Sequence, residues 1–270
     1  MSPPVSAGHL STLRNIGRAV FTVAPFMLHH LWRRRRIDES TQTVDRLREP
    51  PPTRTGDQAA GDQAGGGSEV QTAADGVGPM VMRSYEVRIT GAALGPAAVM
   101  RVLLERPGEL NDDRIAAFVR DDRPATDLRV GDELVVELPG PWNGPVRVVR
   151  ADDDELLLQT LDGHMEAGHI RFDTTDHVER PGGGHDFTFR IRSWARGGDR
   201  AFTVLHLGLR IAKELQTAMW VAMCEGAVRV SGGARSGRIG VLTDVLAESS
   251  VGAAPSSGTR SPPRQSIGST

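Results

Sequence analysis

The chain is almost devoid of two reactive residue types. Cys224 is the single cysteine and Lys213 the single lysine among 270 residues. One cysteine excludes an intramolecular disulfide and a zinc site built from several thiolates. The sequence also lacks a phosphate-binding glycine loop, a dinucleotide fingerprint and a Ser–His–Asp motif, so we expect neither a cofactor nor a metal. A cytoplasmic location, where thiols stay reduced, fits this cysteine usage.

The chain has no excess of positive charge. Its formal net charge is −2 at pH 7, and no recognised nucleic-acid-binding motif occurs in it. Because binding to nucleic acid relies on a basic surface and commonly on such a motif, we expect no nucleic acid among the partners. The oligomeric state cannot be read from the sequence.

An apolar run long enough to cross a membrane is also missing. The longest early run, residues 19–32, spans 14 residues and contains Pro25, whereas a spanning helix needs about 20 apolar residues. Arg33–Arg36 follow it, which favours peripheral contact of residues 10–36 with the inner face of the membrane. The alternative is a helix that packs on the main domain or on another subunit. In either case residues 1–37 form an appended N-terminal helical segment.

Two stretches, residues 38–78 and 248–270, hold almost no large apolar side chains. The first contains the low-complexity run GDQAAGDQAGGG, and the second is rich in Ser, Gly and Pro. Such segments cannot bury enough apolar surface to offset the entropy that is lost when the backbone becomes ordered. We therefore predict a disordered linker over 38–78, a folded domain over 79–247 and a disordered tail over 248–270.

The domain region begins with a strand pattern. In MRSYEVRIT, the apolar Tyr85, Val87 and Ile89 alternate with charged or polar residues, which predicts a half-buried strand. Two short helices are predicted next, in GPAAVMRVLLE and DDRIAAFVRD. The later strands are separated by segments rich in Gly, Pro and Asp, which favours an antiparallel meander. Its strand segments are GDELVVELPG, PVRVVRA, ELLLQTL, GHIRFDT, DFTFRIRSW and RAFTVLH.

A long helix is predicted over residues 205–230. The pattern stops at Ser231-Gly232-Gly233, which is a strong helix-termination signal. At helical spacing the apolar face carries Ala212, Leu215, Met219, Ala222, Met223, Gly226 and Val230. The opposite, polar face carries Arg210, Lys213, Glu214, Thr217 and Glu225.

The order of strand, two helices, meander and long helix is that of the helix-grip (START-like) plan. We therefore predict an α+β fold in which a curved antiparallel sheet wraps a long C-terminal α-helix, with an extra N-terminal helix. That plan commonly holds a cavity between sheet and helix. Small residues such as Ala222 and Gly226 could leave room there, or they could allow close packing of the backbone.

Four blocks of the sequence also resemble a known family. They are RVGDELVVELPGPWNGPVRVV, TLDGHMEAGHIRF, SWARGGDR and RIAKELQTAMW with CEGAVRVSGG. In this order, over roughly residues 79–245, they resemble the domain of unknown function 1990 family, which is mostly actinobacterial. The arginine-rich N-terminal piece is similar to that of longer members. The resemblance implies no established activity, cofactor or catalytic residue, and the helix-grip prediction rests on element order alone.

His164, Glu166 and His169 form the densest cluster of chemically active side chains. Their order is H-x-E-x-x-H, and the neighbouring glycines argue against the helix on which a zinc-protease motif lies. In a strand, positions two apart share a face while positions five apart do not. We therefore interpret DGHMEAGH as a polar turn between strands. The alternative is an acid–base pair of His164 and Glu166 aimed into a cavity.

Two tryptophans are further candidates. Trp142 lies in the rigid segment PGPWNGP, where it could act as a ligand lid or a membrane contact, or close one end of the core. Trp194 lies on the opposite strand face from Phe189 and Ile191, among arginines. This pattern predicts one of two arrangements. The first is a surface that binds an anion or a partner, and the second is a solvated face on which arginine stems pack against the indole. Cys224 has no sequence context that would stabilise a thiolate, and we treat it as inert.

The leading hypothesis is a binding module for a hydrophobic small molecule or lipid, and we favour it over an enzyme. The ligand would occupy a cavity on the order of 300 Å³ or more between sheet and helix. It would contact Trp142, His164, Glu166, Met219 and Met223, although methionines at helical spacing are more often ordinary core. One alternative is an enzyme that uses His164 and Glu166 as an acid–base pair in that cavity. The other is a membrane-surface or protein-interaction scaffold.

Overall fold

The computed structural model describes residues 37–52, 68–111, 116–137, 144–198 and 206–247, with 206–213 and 215 described by their backbone alone. Several predictions concern residues outside this set: the N-terminal helix within 1–36, the middle of the linker, the role of Trp142, the strand in RAFTVLH and the tail over 248–270. Among the described residues, no helix combines the length and the apolar character needed to span a membrane.

Strands dominate the described part of the chain. The helices are α1 (Pro96–Glu105) and α2 (His206–Ser231), and a 3-10 turn covers Pro107–Glu109. The strands are β1 (Ile37–Val44), β2 (Val77–Ala92), β3 (Ala117–Arg120), β4 (Arg123–Pro124), β5 (Glu133–Glu137), β6 (Gly144–Ala151), β7 (Glu155–Thr160), β8 (Glu166–Glu179), β9 (His185–Gly197) and β10 (Ala234–Leu246).

These strands join in one sheet. Their order across it is β1-β10-β2-β9-β8-β7-β6-β5-β3-β4. Neighbours are antiparallel except β1 and β10, which run parallel. A mixed α+β fold with a large curved sheet and few helices is therefore confirmed, as is the meander from β5 to β9.

One face of the sheet, the helix-side face, carries the core. In β2, Tyr85, Val87 and Ile89 are each at most 1 % exposed, and their partners in β9 are also apolar. Helix α2 packs on β2, β9 and β10, and α1 packs on β7, β8 and β9. The alternation of apolar and polar residues thus predicted correctly which side of β2 is buried.

Helix α1 begins where the sequence places a proline. Gly95 is its N-cap with extended backbone, and Pro96 lies in the first turn, where the missing N–H removes no helical hydrogen bond. Val99, Met100 and Leu103 are buried, which fastens the helix to the sheet. The first of the two predicted short helices is therefore confirmed.

The second predicted short helix, in DDRIAAFVRD, is wrong over Ala117–Arg120. These residues form β3, which pairs with β5. Buried Phe118 is flanked by two half-buried residues, as expected for a strand. An apolar run this short has no periodicity that separates strand from helix, so the neighbouring strand decides its conformation.

Helix α2 is the predicted long helix, but it is not the last element. It ends at Ser231, before Gly232 with φ +67°, and β10 then pairs with β2. The prediction that this helix is C-terminal is therefore wrong. β10 carries its own alternation, with Ile239, Val241 and Thr243 buried, and that signal was overlooked.

The burial of α2 extends beyond one apolar face. Every residue from 216 to 224 is at most 7 % exposed. Thr217, which the helical periodicity placed on the polar face, is therefore buried, and the predicted polar face is wrong at this position. The reason is that α2 contacts α1 as well as three strands, so that more than one side of the helix is covered.

Helix α2 meets the end of the 3-10 turn at very close range. A Cβ atom added to Gly226 would lie 1.9 Å from the carbonyl oxygen of Leu110. Only glycine permits such an approach of backbone to backbone. Gly226 therefore serves close packing and leaves no room for a cavity at this point.

Residues 37–52 belong to the folded domain. Ile37–Val44 form β1, which pairs in parallel with β10 over its whole length. The predicted linker over 38–78 is therefore wrong at its start, because an edge strand can be held by backbone hydrogen bonds with few apolar side chains. Residues 53–67, the middle of that linker, lie outside the described residues.

Glu49 contacts the outer face of β8 and β9 at Trp194, Arg171 and Arg192. Trp194 is fully buried, and its Nε1 donates a hydrogen bond to the carbonyl oxygen of Glu49 at 2.9 Å. The guanidinium carbons of Arg171 and Arg192 lie 5.4 and 5.6 Å from the centre of the Trp194 ring. The Glu49 carboxylate pairs with both arginines. The packing of arginines on the indole is therefore confirmed, whereas the exposure that both interpretations of Trp194 assumed is wrong, because the ring is buried.

Candidate functional site

The segment DGHMEAGH is the turn between β7 and β8 together with the first residues of β8. β7 ends at residue 160 and β8 begins at residue 166. Gly163 has φ +86°, a conformation that favours glycine, and the backbone N–H of His164 donates to the carbonyl of Leu161 at 3.0 Å. The interpretation of this segment as a turn whose geometry depends on glycine is confirmed.

The three candidate ligands of this segment do not point to one place. Glu166 lies on the helix-side face, where it contacts α2. His169 lies on the outer face, opposite Trp194 in register, because strand residues an odd number apart point to opposite faces. His164 precedes the strand and turns inward. Only His164 and Glu166 therefore share the helix side of the sheet.

His164 is a buried histidine, 9 % exposed. Its Nδ1 accepts a hydrogen bond from the backbone N–H of Glu166 at 2.9 Å, so the neutral ring carries its hydrogen at Nε2. Burial lowers the pKa of His164 below its usual value, and the nearby Glu166 opposes that shift. At neutral pH His164 is therefore a neutral ring with an N–H donor at Nε2.

Gly144, the first residue of β6, makes space for this donor. A Cβ atom at position 144 would lie 2.8 Å from Nε2 and 3.0 Å from Cδ2 of His164. Any side chain there would displace the imidazole ring. The position of His164 thus depends on a glycine in a neighbouring strand.

The Glu166 carboxylate is held by two other side chains. Its Oε2 accepts a hydrogen bond from Nε2 of Gln216 at 2.8 Å, and its Oε1 lies 3.7 Å from Nη1 of Arg83. Arg83 also donates to Oε1 of Gln216. This triad links β8, β2 and α2. Glu166 therefore meets His164 through its backbone N–H, while its carboxylate acts on the ring only through its charge.

Tyr85 lies beside this triad. It is 1 % exposed, and burial raises the pKa of its hydroxyl, with the Arg83 charge acting in the opposite direction. The hydroxyl faces Thr217 but has no hydrogen bond of ordinary geometry within the described part of the chain. The phenol therefore remains protonated in the core.

A small cavity lies between His164 and α2. Its volume is about 20 Å³, which is room for about one water molecule and far below the roughly 300 Å³ of an ordinary ligand pocket. The ligand-sized cavity expected from the sequence is thus not found at this place. The lining residues are Val136, Gly144, His164, Met165, Ile170, Gln216, Met219 and Trp220.

Trp220 also lines this cavity. The ring is 1 % exposed and packs edge-on against Phe172, with centroids 5.6 Å apart at 71°. Among the described residues, none accepts a hydrogen bond from its Nε1. A buried N–H without an acceptor is uncommon and needs a reason, such as a bound water or a ligand oxygen.

The five predicted ligand-binding residues have different positions. His164 and Met219 line the cavity, and Glu166 contacts a lining residue through its carboxylate. Met223, about one turn further along α2, is fully buried in the main core. Trp142 lies outside the described residues.

Arg83, Gln216 and Trp220 belong to this site but were not among the predicted site residues. A signal existed for each of them. Residues 216, 219, 220 and 223 recur at helical spacing, so a glutamine and a tryptophan flank Met219 on one side of α2. Arg83 has the same strand parity as Tyr85 and must point to the same face.

The chain matches no protein-family model and no curated protein. It is similar to solved structures at low identity. The di-domain ARO/CYC StfQ from the steffimycin biosynthetic pathway is 14% identical, with 59% of this chain and 52% of that chain covered and a TM-score of 0.38. Norcoclaurine synthase from Thalictrum flavum, in complex with dopamine and hydroxybenzaldehyde, is 13% identical, with 59% of this chain and 89% of that chain covered and a TM-score of 0.35. Ginseng major latex-like protein 151 from Panax ginseng is 9% identical, with 50% of this chain and 94% of that chain covered and a TM-score of 0.27.

These likenesses are weak. The match spans about half of the length of the di-domain protein. At TM-scores below 0.5 the likenesses support no inference about ligand or reaction, and the site must be interpreted from its own geometry. The resemblance to the domain of unknown function 1990 family stays a prediction.

Proposed function

We propose that the domain binds a small, mainly apolar molecule that carries a hydrogen-bond acceptor oxygen. The binding place is the cavity between β5, β6, β8 and α2. The observation that carries the proposal is that two buried rings line one cavity: His164, whose ring hydrogen is at Nε2, and Trp220, whose Nε1 has no acceptor among the described residues. Predominantly apolar lining with a few placed polar groups is typical of small-molecule sites.

The two donors would set the orientation of the molecule. His164 is fixed by the backbone N–H of Glu166, and Trp220 is fixed by its packing on Phe172. Two rigid N–H groups suit a carbonyl, ether or hydroxyl oxygen, because each of these can accept two hydrogen bonds. Apolar contacts with Val136 and Ile170 would complete the site.

The present cavity is smaller than such a molecule, so binding requires local movement. Met165 and Met219 both line the cavity. Methionine is unbranched and changes rotamer more readily than the other large apolar residues. We propose that these two side chains move aside and that one trapped water leaves when the molecule enters.

A helix-grip arrangement is part of this proposal. Helix α2 crosses the helix-side face of β2, β9 and β10, and the cavity lies at the end of the sheet where β5, β6 and β8 meet α2. Strand β10 after the helix and strand β1 at the edge are additions to the predicted plan. A site between sheet and long helix is what such an arrangement provides.

The acid–base alternative receives less support from the geometry. The Glu166 carboxylate is engaged by Gln216 and Arg83, and Nδ1 of His164 already accepts a hydrogen bond. A general base needs a free ring nitrogen within reach of the proton that it removes. The ring hydrogen of His164 is at Nε2, so donation to a bound oxygen is the role that fits its tautomer.

The test is a comparison of two ligands that differ by one acceptor atom. Acetophenone and α-methylstyrene have nearly the same shape, but only acetophenone carries a carbonyl oxygen. We expect acetophenone to bind about 3- to 10-fold more tightly, as one net hydrogen bond allows. Binding would be followed in every variant by NMR through the backbone amide signals of the cavity-lining residues, with the indole N–H of Trp220 as a second reporter in the proteins that retain it.

His164→Phe keeps an aromatic ring and removes the donor, so it should abolish most of the preference for acetophenone. Met223→Leu, on the same helix but outside the cavity lining, is the matched control and should keep the preference. Met219→Phe should narrow the cavity and lower the affinity for both ligands. Equal affinity for the two ligands, or a preference that survives in both His164→Phe and Trp220→Phe, would exclude the proposal.

A further inference from the structure

The far end of the β8–β9 hairpin brings two histidines and a glutamate together. His177, Glu179 and His185 each place one ligand atom so that all of these atoms lie within 4.8 Å of one another. Nε2 of His177 lies 3.0 Å from Nδ1 of His185. In a tetrahedral zinc site with Zn–N distances of about 2.0–2.1 Å, two nitrogen ligands are about 3.3 Å apart. The spacing of the two rings is therefore close to that of a ligand pair.

A bulge in β8 produces this alignment. Thr175 pairs with Thr188 but Val178 pairs with Asp186, so β8 contains one residue more than β9 between these pairs. Asp176 in the bulge has φ +54°, a conformation that non-glycine residues rarely adopt.

The extra residue places Glu179 directly opposite His185. His177, two positions earlier than Glu179, then shares its face. Without the extra residue Val178 would oppose His185, and the glutamate would point to the other side of the sheet. Bulges commonly re-aim side chains in this way next to functional sites.

The bulge exposes an apolar side chain that a regular hairpin could bury. Val178 is turned to solvent and is 54 % exposed, whereas the polar side chains on either side of it meet on the other face. Burial of valine is favourable. The local geometry thus favours the meeting of the three polar groups over the burial of an apolar one.

The surroundings orient His185 and leave the three groups available. A Cβ atom on Gly95 would lie 3.4 Å from Nε2 of His185, so this edge of the ring packs on the start of α1 while Nδ1 faces His177. The neighbouring Asp186 is engaged elsewhere, because its carboxylate accepts hydrogen bonds from Arg180 and from the backbone N–H of Gly91. That ion pair also neutralises the Arg180 guanidinium.

We propose that His177, Glu179 and His185 form a binding site for a divalent transition-metal ion, with Zn²⁺ as the best match. Two imidazoles and one carboxylate are a donor set that zinc accepts, and they leave a fourth position for water or an external ligand. The expectation of no metal rested on the single cysteine and on the spacing of the cluster at 164–169. The His177 group was missed because the bulge that aligns it cannot be seen in the spacing of the residues.

Isothermal titration of the full chain with ZnCl₂, after removal of metal by chelator, tests the site. We expect one saturable site with a dissociation constant on the order of 1–10 µM, as suits an exposed three-ligand site. His177→Gln and His185→Gln should each weaken binding at least tenfold, and Glu179→Gln should weaken it to a smaller extent. These residues are at most half-buried, so the variants should keep the wild-type circular dichroism and melting temperature in chelator.

The matched control is the double variant His29→Gln/His30→Gln, which removes the two adjacent histidines of the sequence. It should bind zinc like the wild type. Unchanged affinity in His177→Gln and His185→Gln, loss of the strong site in the control, or no saturation up to 1 mM zinc would each overturn the proposal.

Discussion

The backbone N–H of Glu166 donates a hydrogen bond to Nδ1 of His164 at 2.9 Å. This bond selects the ring tautomer, because a neutral histidine that accepts at Nδ1 must donate at Nε2. It also requires the ring to be neutral, since a protonated ring has no acceptor. The turn between β7 and β8 therefore depends on the protonation state of one buried side chain.

The free energy of unfolding should depend on pH through His164. Burial lowers the pKa of His164 in the folded protein, whereas the unfolded chain titrates near 6.5. Above about pH 6.5 the His164 ring is neutral in both the folded and the unfolded state, and its contribution to the free energy of unfolding is fully present. As the pH falls below that value the unfolded state binds the proton first, so stability is lost until the folded pKa is reached.

Urea unfolding of wild type and His164→Gln between pH 5 and 8 measures this effect. We expect the wild type to lose stability more steeply than the variant below pH 6.5, by up to about 1.4 kcal/mol per pH unit once the pH is about one unit below the unfolded pKa. Glutamine does not titrate, and its amide oxygen can still accept from Glu166. Parallel stability curves for the two proteins would show that His164 is not buried in the neutral form.

The parts of the fold that were predicted correctly depend on side-chain periodicity. Tyr85, Val87 and Ile89 mark a strand face, and the long helix ends at its glycines as expected. β1 was missed because it pairs through its backbone at the sheet edge, and its sequence IDESTQTV carries apolar residues only at its two ends. No local pattern encodes a partner that is about 200 residues away.

The site was predicted less completely than the fold. His164 and Met219 were identified, because a histidine in a turn and a methionine on a buried helix face are visible in the sequence. The N–H donor of Trp220 was not identified, because the packing of distant strands decides whether an indole N–H has an acceptor. The bulge at Asp176 was likewise invisible, because register is a property of two strands together.

The thiol of Cys224 should not react in the folded protein. It is fully buried, and burial raises the pKa of the thiol well above its ordinary range, while the thiolate is the reactive form. Labelling with iodoacetamide at pH 8 should be at least 100-fold slower in buffer than in 6 M urea. A native rate close to the unfolded rate would mean that this part of α2 is exposed to solvent.

Gly226→Ala should destabilise the protein, although alanine is normally the better helix former by about 1 kcal/mol. The added Cβ would lie 1.9 Å from the carbonyl oxygen of Leu110, so the helix must move away from the 3-10 turn. We expect a loss of about 2–3 kcal/mol in the free energy of unfolding. Gly240→Ala, whose Cβ would lie 4.0 Å from the carbonyl of Glu86, is the control and should change stability by less than about 1 kcal/mol.

Asp173 on the outer face should contribute far more to the free energy of unfolding than an exposed aspartate does. Its carboxylate accepts from Nε of Arg190 at 2.9 Å and from Arg192, whose side chain is only 4 % exposed. Asp173→Asn removes the negative charge and leaves that buried guanidinium with Glu49 as its remaining carboxylate partner. Because an under-compensated buried charge is strongly unfavourable, we expect a loss of about 3 kcal/mol.

An exposed ion pair in the same protein supplies the control. Asp153 lies 2.9 Å from Arg101, and both side chains are more than half exposed. Asp153→Asn should therefore change the free energy of unfolding by no more than about 0.5 kcal/mol. Chemical denaturation of both variants, with near-UV circular dichroism to follow Trp194, makes the comparison. If the two substitutions had equal effects, the Arg192–Asp173 pair would be no better shielded from water than the Arg101–Asp153 pair.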